Sequence, residues 1–168
     1  MDMFVEQIIV RKKTAKQTVM AVFIMALASL LIVMSVFLLR MFGFLVAAAL
    51  GYGMWWLLSE MNIEYEYCIT NGDIDIDKII ARRKRERVVS VAIQKLETAG
   101  RYEPEKWRER GVDRVVLAAP SEKEEGLYCF SYRTKKRGHT LVIFQPNERM
   151  LEAFEKSLPR LIQKDFQK

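Results

Sequence analysis

The chain has 168 residues, a formal net charge of +6, two cysteines and a hydrophobic content of 51%. It is too apolar for a disordered chain, and Cys68 and Cys129 are too few and too far apart in sequence for a disulfide framework or a cysteine zinc site. The basic excess is spread as +2 over residues 1–17, +1 over 18–59 and +3 over 60–168, too dilute to point to a nucleic-acid partner.

Residues 1–17 form a short basic arm. Phe4, Val5, Ile8 and Ile9 are spaced as one stripe of a helix, which reads either as a short interfacial helix leading toward a membrane or as a frayed terminus. Arg11, Lys12, Lys13 and Lys16 follow directly before a long apolar run and set the expected N-terminal side as cytoplasmic. From Thr18 to Ser59 the only charge is Arg40. A single helix of that length would span roughly 63 Å at ~1.5 Å per residue, about twice a hydrocarbon core. Arg40 at mid-membrane would cost ~2.5–3.5 kcal/mol on insertion scales. Two transmembrane helices, about 18–39 and 43–59, joined by a turn at Arg40–Gly43, are therefore expected, with both termini in the cytoplasm.

Within the second of these, Ala47 with Gly51 and Ala49 with Gly53 place small residues at a spacing that lets another backbone approach. Packing within the helix pair and self-association through this face are both readings of that pattern. Tyr52, Trp55 and Trp56 form an interfacial aromatic belt. Neither helix holds an Asp, Glu, Lys or His, so a pore or pump acting alone is not expected.

After Glu60 the period switches to two. Ile63, Tyr65, Tyr67 and Ile69 alternate with polar residues, Asn71-Gly72 follows, and Ile74 and Ile76 alternate with Asp73, Asp75 and Asp77. Asn-Gly between alternating runs predicts a two-residue hairpin turn, since both central residues need positive φ. Alternate aspartates on a strand spread along one face rather than converge on a cation. They read as a solvated face balanced by Arg85 and Arg87 on the next strand. Further strands are predicted near 87–91, 93–98, 112–118, 127–134 and 140–145. A helix over about 147–165 is predicted from Asn147 as its cap and the stripe Met150, Leu151, Phe154, Leu158, Leu161 and Ile162. Pro159 should kink or restart it. His139, the only histidine, sits at a turn with no nucleophile or orienting partner in view, and no phosphate loop or catalytic motif is present.

The run Tyr65-Glu-Tyr-Cys-Ile-Thr-Asn-Gly, then Ile74-Asp-Ile, Ala81-Arg-Arg-Lys-Arg and Val88–Glu97, resembles the opening of bacterial pleckstrin-homology-like (PH-like) domains that follow a pair of transmembrane helices. The resemblance extends over roughly residues 18–160, although the proline usual in the Val88–Gln94 segment is missing. It implies an α+β membrane protein: a transmembrane helical hairpin, then a seven-stranded antiparallel PH-like barrel over 60–168 capped by the C-terminal helix. It implies no shared catalytic residues. Phosphoinositide binding does not carry over, because the Thr70–Asp73 loop lacks the necessary cations.

In an up-and-down meander, the turns at Ala81–Arg85, 100–111 and Lys135–Gly138 would return to the membrane, and Asn71-Gly72 and Glu122–Glu125 would point away. Each basic cluster reads most simply as a solvated hairpin turn; on this geometry Arg82, Arg83, Lys84, Arg85, Lys135, Lys136 and Arg137 are also the candidate anionic-surface contacts, each contributing ~1 kcal/mol near such a surface. The function these readings favour is a non-enzymatic, two-pass inner-membrane protein. It would present its domain to the inner leaflet to bind a protein partner, a second copy or membrane lipid. An accessory subunit of a larger transporter or envelope complex is the alternative. No cofactor, metal, nucleic acid or small-molecule substrate is expected.

Overall fold

The computed structural model describes residues 4–108, 111–134 and 138–166. The chain groups into two compact units: Lys12–Ile63 with Ile80–Lys84, and Met1–Arg11 with Glu64–Ile79 and Arg85–Lys168.

The first unit is built on helices α1 (Ala15–Leu39) and α2 (Gly43–Glu60), separated by a 3-10 turn at Arg40–Phe42. Arg40 adopts φ 46, which ends α1 by leaving helical space. Gly43 explains how the chain continues. A Cβ there would lie 2.5 Å from the Ser35 carbonyl oxygen and 2.7 Å from the Val36 Cα, so only glycine permits this approach. Eight residues apart on one straight helix, these groups would be roughly 12 Å distant. α1 and α2 therefore pack on one another, and Ser35, buried, bonds to the Ile32 and Gly43 carbonyls at 2.8 and 3.4 Å. The remaining surface is strongly apolar and exposed, Phe37 at 80% and Val19 at 69% among many. By length and composition Ala15–Glu60 is apolar enough to cross a membrane, and exposed apolar area of this extent suggests membrane association.

The second unit contains two four-stranded sheets. In the first, β1 (Phe4–Val10), β2 (Ile63–Thr70), β3 (Asp73–Ile80) and β4 (Lys84–Ala92) lie in that order. The helix expected over residues 4–9 is instead β1, antiparallel to β2 from Phe4 opposite Thr70 to Val10 opposite Glu64. Its Val and Ile content suits a pleated strand, and the unsatisfied edge of β2 decides between two periods that the apolar positions fit equally. Gln7 clips the strand in place. Its side-chain amide donates to the Gln145 carbonyl at 3.0 Å and its oxygen accepts from the Asn147 N–H at 2.8 Å. Between β2 and β3, Asn71 and Gly72 have φ 50 and 92, the two positive angles expected of that turn.

The second sheet has the order β5 (Thr98–Arg101), β7 (Tyr128–Thr134), β8 (Gly138–Phe144), β6 (Arg114–Ala118). Here the expected seven-stranded antiparallel barrel is corrected. Eight strands are described, β6 runs parallel to β8, and among the described residues no closed barrel forms. The strand expected over 93–98 is a 3-10 turn at Ile93–Lys95 followed by β5, and part of the polar 100–111 stretch is helix α3 (Pro104–Arg108). Alternation identifies strands but carries no information on their order. Because β6 joins beyond β8 rather than beside β5, the up-and-down sorting of turns loses its basis.

Tyr67, Phe130, Phe144 and Phe154 form an aromatic core with centroids 5.3–5.8 Å apart. Phe154 and Met150 come from α4 (Glu148–Ser157), whose first turn is capped by Asn147 Oδ1 accepting from the Met150 N–H at 2.8 Å. Pro159 ends it, and α5 (Arg160–Phe166) restarts, so the predicted single helix is two. The Tyr67 hydroxyl donates to the Ala118 carbonyl and accepts from the Gln145 N–H at 3.4 Å. Burial pushes this phenol well above its ordinary value.

Candidate membrane-surface site

The expected basic contacts separate into three groups. The first is the β3–β4 turn. Ala81 and Arg82 both adopt left-handed backbone, φ 53 and 56, at a cost of ~1–2 kcal/mol for each non-glycine residue. Hydrogen bonds hold them there: the Ala81 N–H donates to the Asn62 carbonyl at 2.8 Å, and the Arg83 N–H to the Ile80 carbonyl at 3.0 Å. Asn62 lies two residues beyond α2, so the turn is fastened to the end of that helix. Arg82, Arg83 and Lys84 are exposed. The Arg83 guanidinium lies 5.4 Å from the centre of the Trp55 ring and 3.5 Å from Glu60. Tyr52 and Trp55 are themselves 5.8 Å apart. A cation over an indole face beside a helix end is an arrangement that suits the headgroup layer, where ring and charge each find a partner.

Arg85, two residues further, is engaged differently. It pairs with Glu66, whose side chain is almost buried, and reaches Asp77 at 3.7 Å. Arg87 completes a ladder, with Nε to Asp77 at 2.9 Å and Nη1 to Asp75 at 3.2 Å. Arg85 and Arg87 thus balance Asp75 and Asp77, as the sequence suggested, but the face is not solvated throughout, because Asp77 is buried. Asp77 is drawn down to 6% exposure by the two arginines. The third group, Lys135, Lys136 and Arg137, lies outside the described residues.

The small residues of α2 also separate. Ala47 and Gly51 are half-buried, and Ala49 is exposed. A Cβ on Gly51 or Gly53 would meet nothing within 4 Å, so neither glycine is required by α1. The close approach is at Gly43, which sequence reasoning passed over. Its signal was being the first residue without a side chain after the Arg40 break. His139 lies in β8, where its backbone N–H donates to Asp113 at 2.7 Å and its ring stands 3.4 Å from the Gly111 carbonyl and 3.5 Å from Glu97. Both cysteines are free thiols, Cys129 buried and Cys68 partly exposed.

Two small sheets, an aromatic core and a C-terminal helix that closes it define an α+β domain of the PH-like class, joined here to a long apolar helical segment. The chain belongs to the family described as Bacterial PH-like domain (DUF6106), whose model matches residues 1–164. No curated protein and no solved structure matches it.

Proposed function

We propose that this is a non-enzymatic, two-pass protein of a bacterial inner membrane that presents its PH-like domain at the cytoplasmic leaflet for binding. α1 and α2 would each cross, with the Arg11–Lys16 cluster on the cytoplasmic side. The observation that carries the reading is the basic turn fastened to the end of α2, with Arg83 over Trp55 and Arg82 and Lys84 exposed beside it. A belt aromatic marks headgroup depth, and cations at that depth meet anionic lipid at ~1 kcal/mol each. Arg85 is left out of the contact set because its charge is already matched by Glu66 and Asp77.

The test uses the full chain reconstituted in vesicles of mixed zwitterionic and anionic lipid. Spin-labelled anionic lipid should be enriched over zwitterionic lipid in the motionally restricted shell. The triple variant Arg82→Glu, Arg83→Glu, Lys84→Glu should lower that preference several-fold. An unchanged preference removes the lipid contact from the reading.

A second reading, an accessory subunit docked in a larger membrane complex, is favoured by the open space over Gly51 and Gly53. It requires a polytopic partner to co-purify in mild detergent.

A further inference from the structure

Sheet edges are templates for another strand, and natural proteins guard them with charge, glycine, proline, shortness or cover. Three of the four edges described here are guarded. β4 opens Lys84-Arg85-Glu86-Arg87. β5 has four residues and includes Gly100; helix packing does not separate it from β1, since α5 packs on β5 and α4 on β1. β6 has five and opens with Arg114. β1 is the exception. It runs for seven residues, Phe-Val-Glu-Gln-Ile-Ile-Val, with no lysine, arginine, glycine or proline. It is held in full register against β2, and among the described residues no main-chain hydrogen bond reaches it from any other element. Its outward side chains are Phe4, Glu6, Ile8 and Val10, and the three apolar ones are 62%, 54% and 61% exposed.

We propose that β1 pairs antiparallel with β1 of a second copy of this chain, joining two four-stranded sheets into one of eight strands. The register follows from matching outward faces. Residue numbers in each cross-strand pair must sum to an even value. A sum of 12 would set Glu6 opposite itself, and a sum of 16 would leave Phe4 without a partner. A sum of 14 overlaps all seven residues, with Gln7 on the two-fold axis, Phe4 facing Val10 and Glu6 facing Ile8. The like-charge approach of the two Glu6 side chains is then only diagonal, at roughly 7–8 Å. The strand is thereby self-complementary, as a two-fold interface requires.

The area sets the conditions. Exposed Phe4, Ile8 and Val10 offer on the order of 300 Å² of apolar side chain per copy. With the strand edges and flanks, the pair would bury roughly 1,000 Å², at the lower limit for a specific interface. Such a contact is weak between freely diffusing copies and is favoured when tethering raises their effective concentration to the millimolar range. In that respect the inference rests on the membrane reading.

The experiment uses two tagged full-length versions, Glu6→Cys and Ile8→Cys, both carrying Cys68→Ser. Cys68 must go because it lies directly opposite Glu6 within the same chain. They are co-reconstituted in vesicles and treated with copper-phenanthroline. The mixed Glu6→Cys/Ile8→Cys disulfide should exceed either like-with-like product well beyond the roughly twofold ratio of random pairing, and adding Val10→Lys, which guards the edge, should bring it down to that ratio. A mixed product no more than about twofold above each like-with-like product, the ratio that random pairing of equal amounts gives, would overturn the proposal. So would absence of all three together with protection of Ile8→Cys from a water-soluble maleimide at high lipid-to-protein ratio, since the stripe would then face lipid. Vesicle flotation reads the membrane tether separately: if the chain does not float, the membrane reading fails, and the same three yields at millimolar protein in detergent still decide whether β1 pairs with itself.

Discussion

Arg87→Met isolates what the charge ladder contributes. Arg87 holds Asp77 through two hydrogen bonds, Nε–Oδ1 at 2.9 Å and Nη2–Oδ2 at 3.4 Å, and also reaches Asp75 at 3.2 Å. The Asp77 hydrogen bond and the Asp75 charge hold the guanidinium even further above its ordinary value. The partners differ in environment: the Asp77 side chain is 8% exposed and that of Arg87 is 56% exposed. Losing Arg87 therefore leaves a largely desolvated carboxylate with only Arg85, at 3.7 Å. A hydrogen bond to a charged group contributes ~1.5–3 kcal/mol, but an exposed partner is screened. We expect a loss of about 1–2 kcal/mol. For a domain of this size that lowers the midpoint of thermal unfolding by roughly 4–8 °C per kcal/mol.

The assay is urea unfolding of the full chain in mild detergent, followed by near-UV circular dichroism of the tyrosines that line the sheets. Combining Arg87→Met with Asp77→Asn closes a double-mutant cycle, and the coupling should be about 1 kcal/mol. Anionic-lipid preference should stay at the wild-type value, because Arg87 belongs to the ladder and not to the β3–β4 turn. Strict additivity of the two substitutions, or a loss below ~0.3 kcal/mol, would refute the claim that Asp77 depends on this arginine.

Gly43→Ala places a Cβ against the Ser35 and Val36 backbone, which cannot move as a side-chain tip can, so α1 and α2 should be destabilised by ~1–3 kcal/mol as for an overpacked core. Gly53→Ala, in open space, should be neutral or raise helix stability by up to ~1 kcal/mol; thermal melting in detergent by far-UV circular dichroism distinguishes the two, and equal effects would refute the assignment of Gly43 as the contact. Tyr67, and to a lesser degree Tyr65, keep their protons above the ordinary tyrosine value because of burial. The unfolded chain releases those protons first, so stability should be full below pH ~10 and fall by ~1.4 kcal/mol per pH unit per phenol above it. Urea midpoints between pH 8 and 11 measure this, and Tyr67→Phe should flatten the slope by one proton while lowering stability at neutral pH by ~1–3 kcal/mol, since the Ala118 carbonyl loses its donor.

Local signals in this sequence were strong wherever one interaction dominates. Asn71-Gly72 demanded positive φ at two neighbouring residues and obtained it. The acidic strand called for cations on its neighbour, and Arg85 and Arg87 meet Asp75, Asp77 and Glu66. The apolar stripe of α4 and the interruption at Pro159 follow from a period and a missing N–H. What could not be read depended on distant partners. Phe4, Val5, Ile8 and Ile9 fit a helical stripe, yet Ile8 faces outward on a strand while Ile9 faces inward, because an edge of β2 sixty residues away offered a ladder. Gln7, a residue without local signal, fastens that strand to the cap of α4. The position of β6 beyond β8 depends on a crossover that alternation does not encode, and with it went the sorting of loops by side.

The same separation of local from distant interactions bears on function. The β3–β4 turn groups with the helices because Ala81 and Arg83 take their partners from Asn62, Trp55 and Glu60, all within a few residues of the end of α2. Arg85 and Arg87, adjacent in sequence, take theirs from β2 and β3. The partners thus change between Lys84 and Arg85. Under the proposed function, charge changes in the β3–β4 turn should chiefly lower the anionic-lipid preference, and changes at Arg85 or Arg87 should chiefly lower stability. The segment Arg82–Arg87, basic except for Glu86, is thus divided between two sets of spatial neighbours.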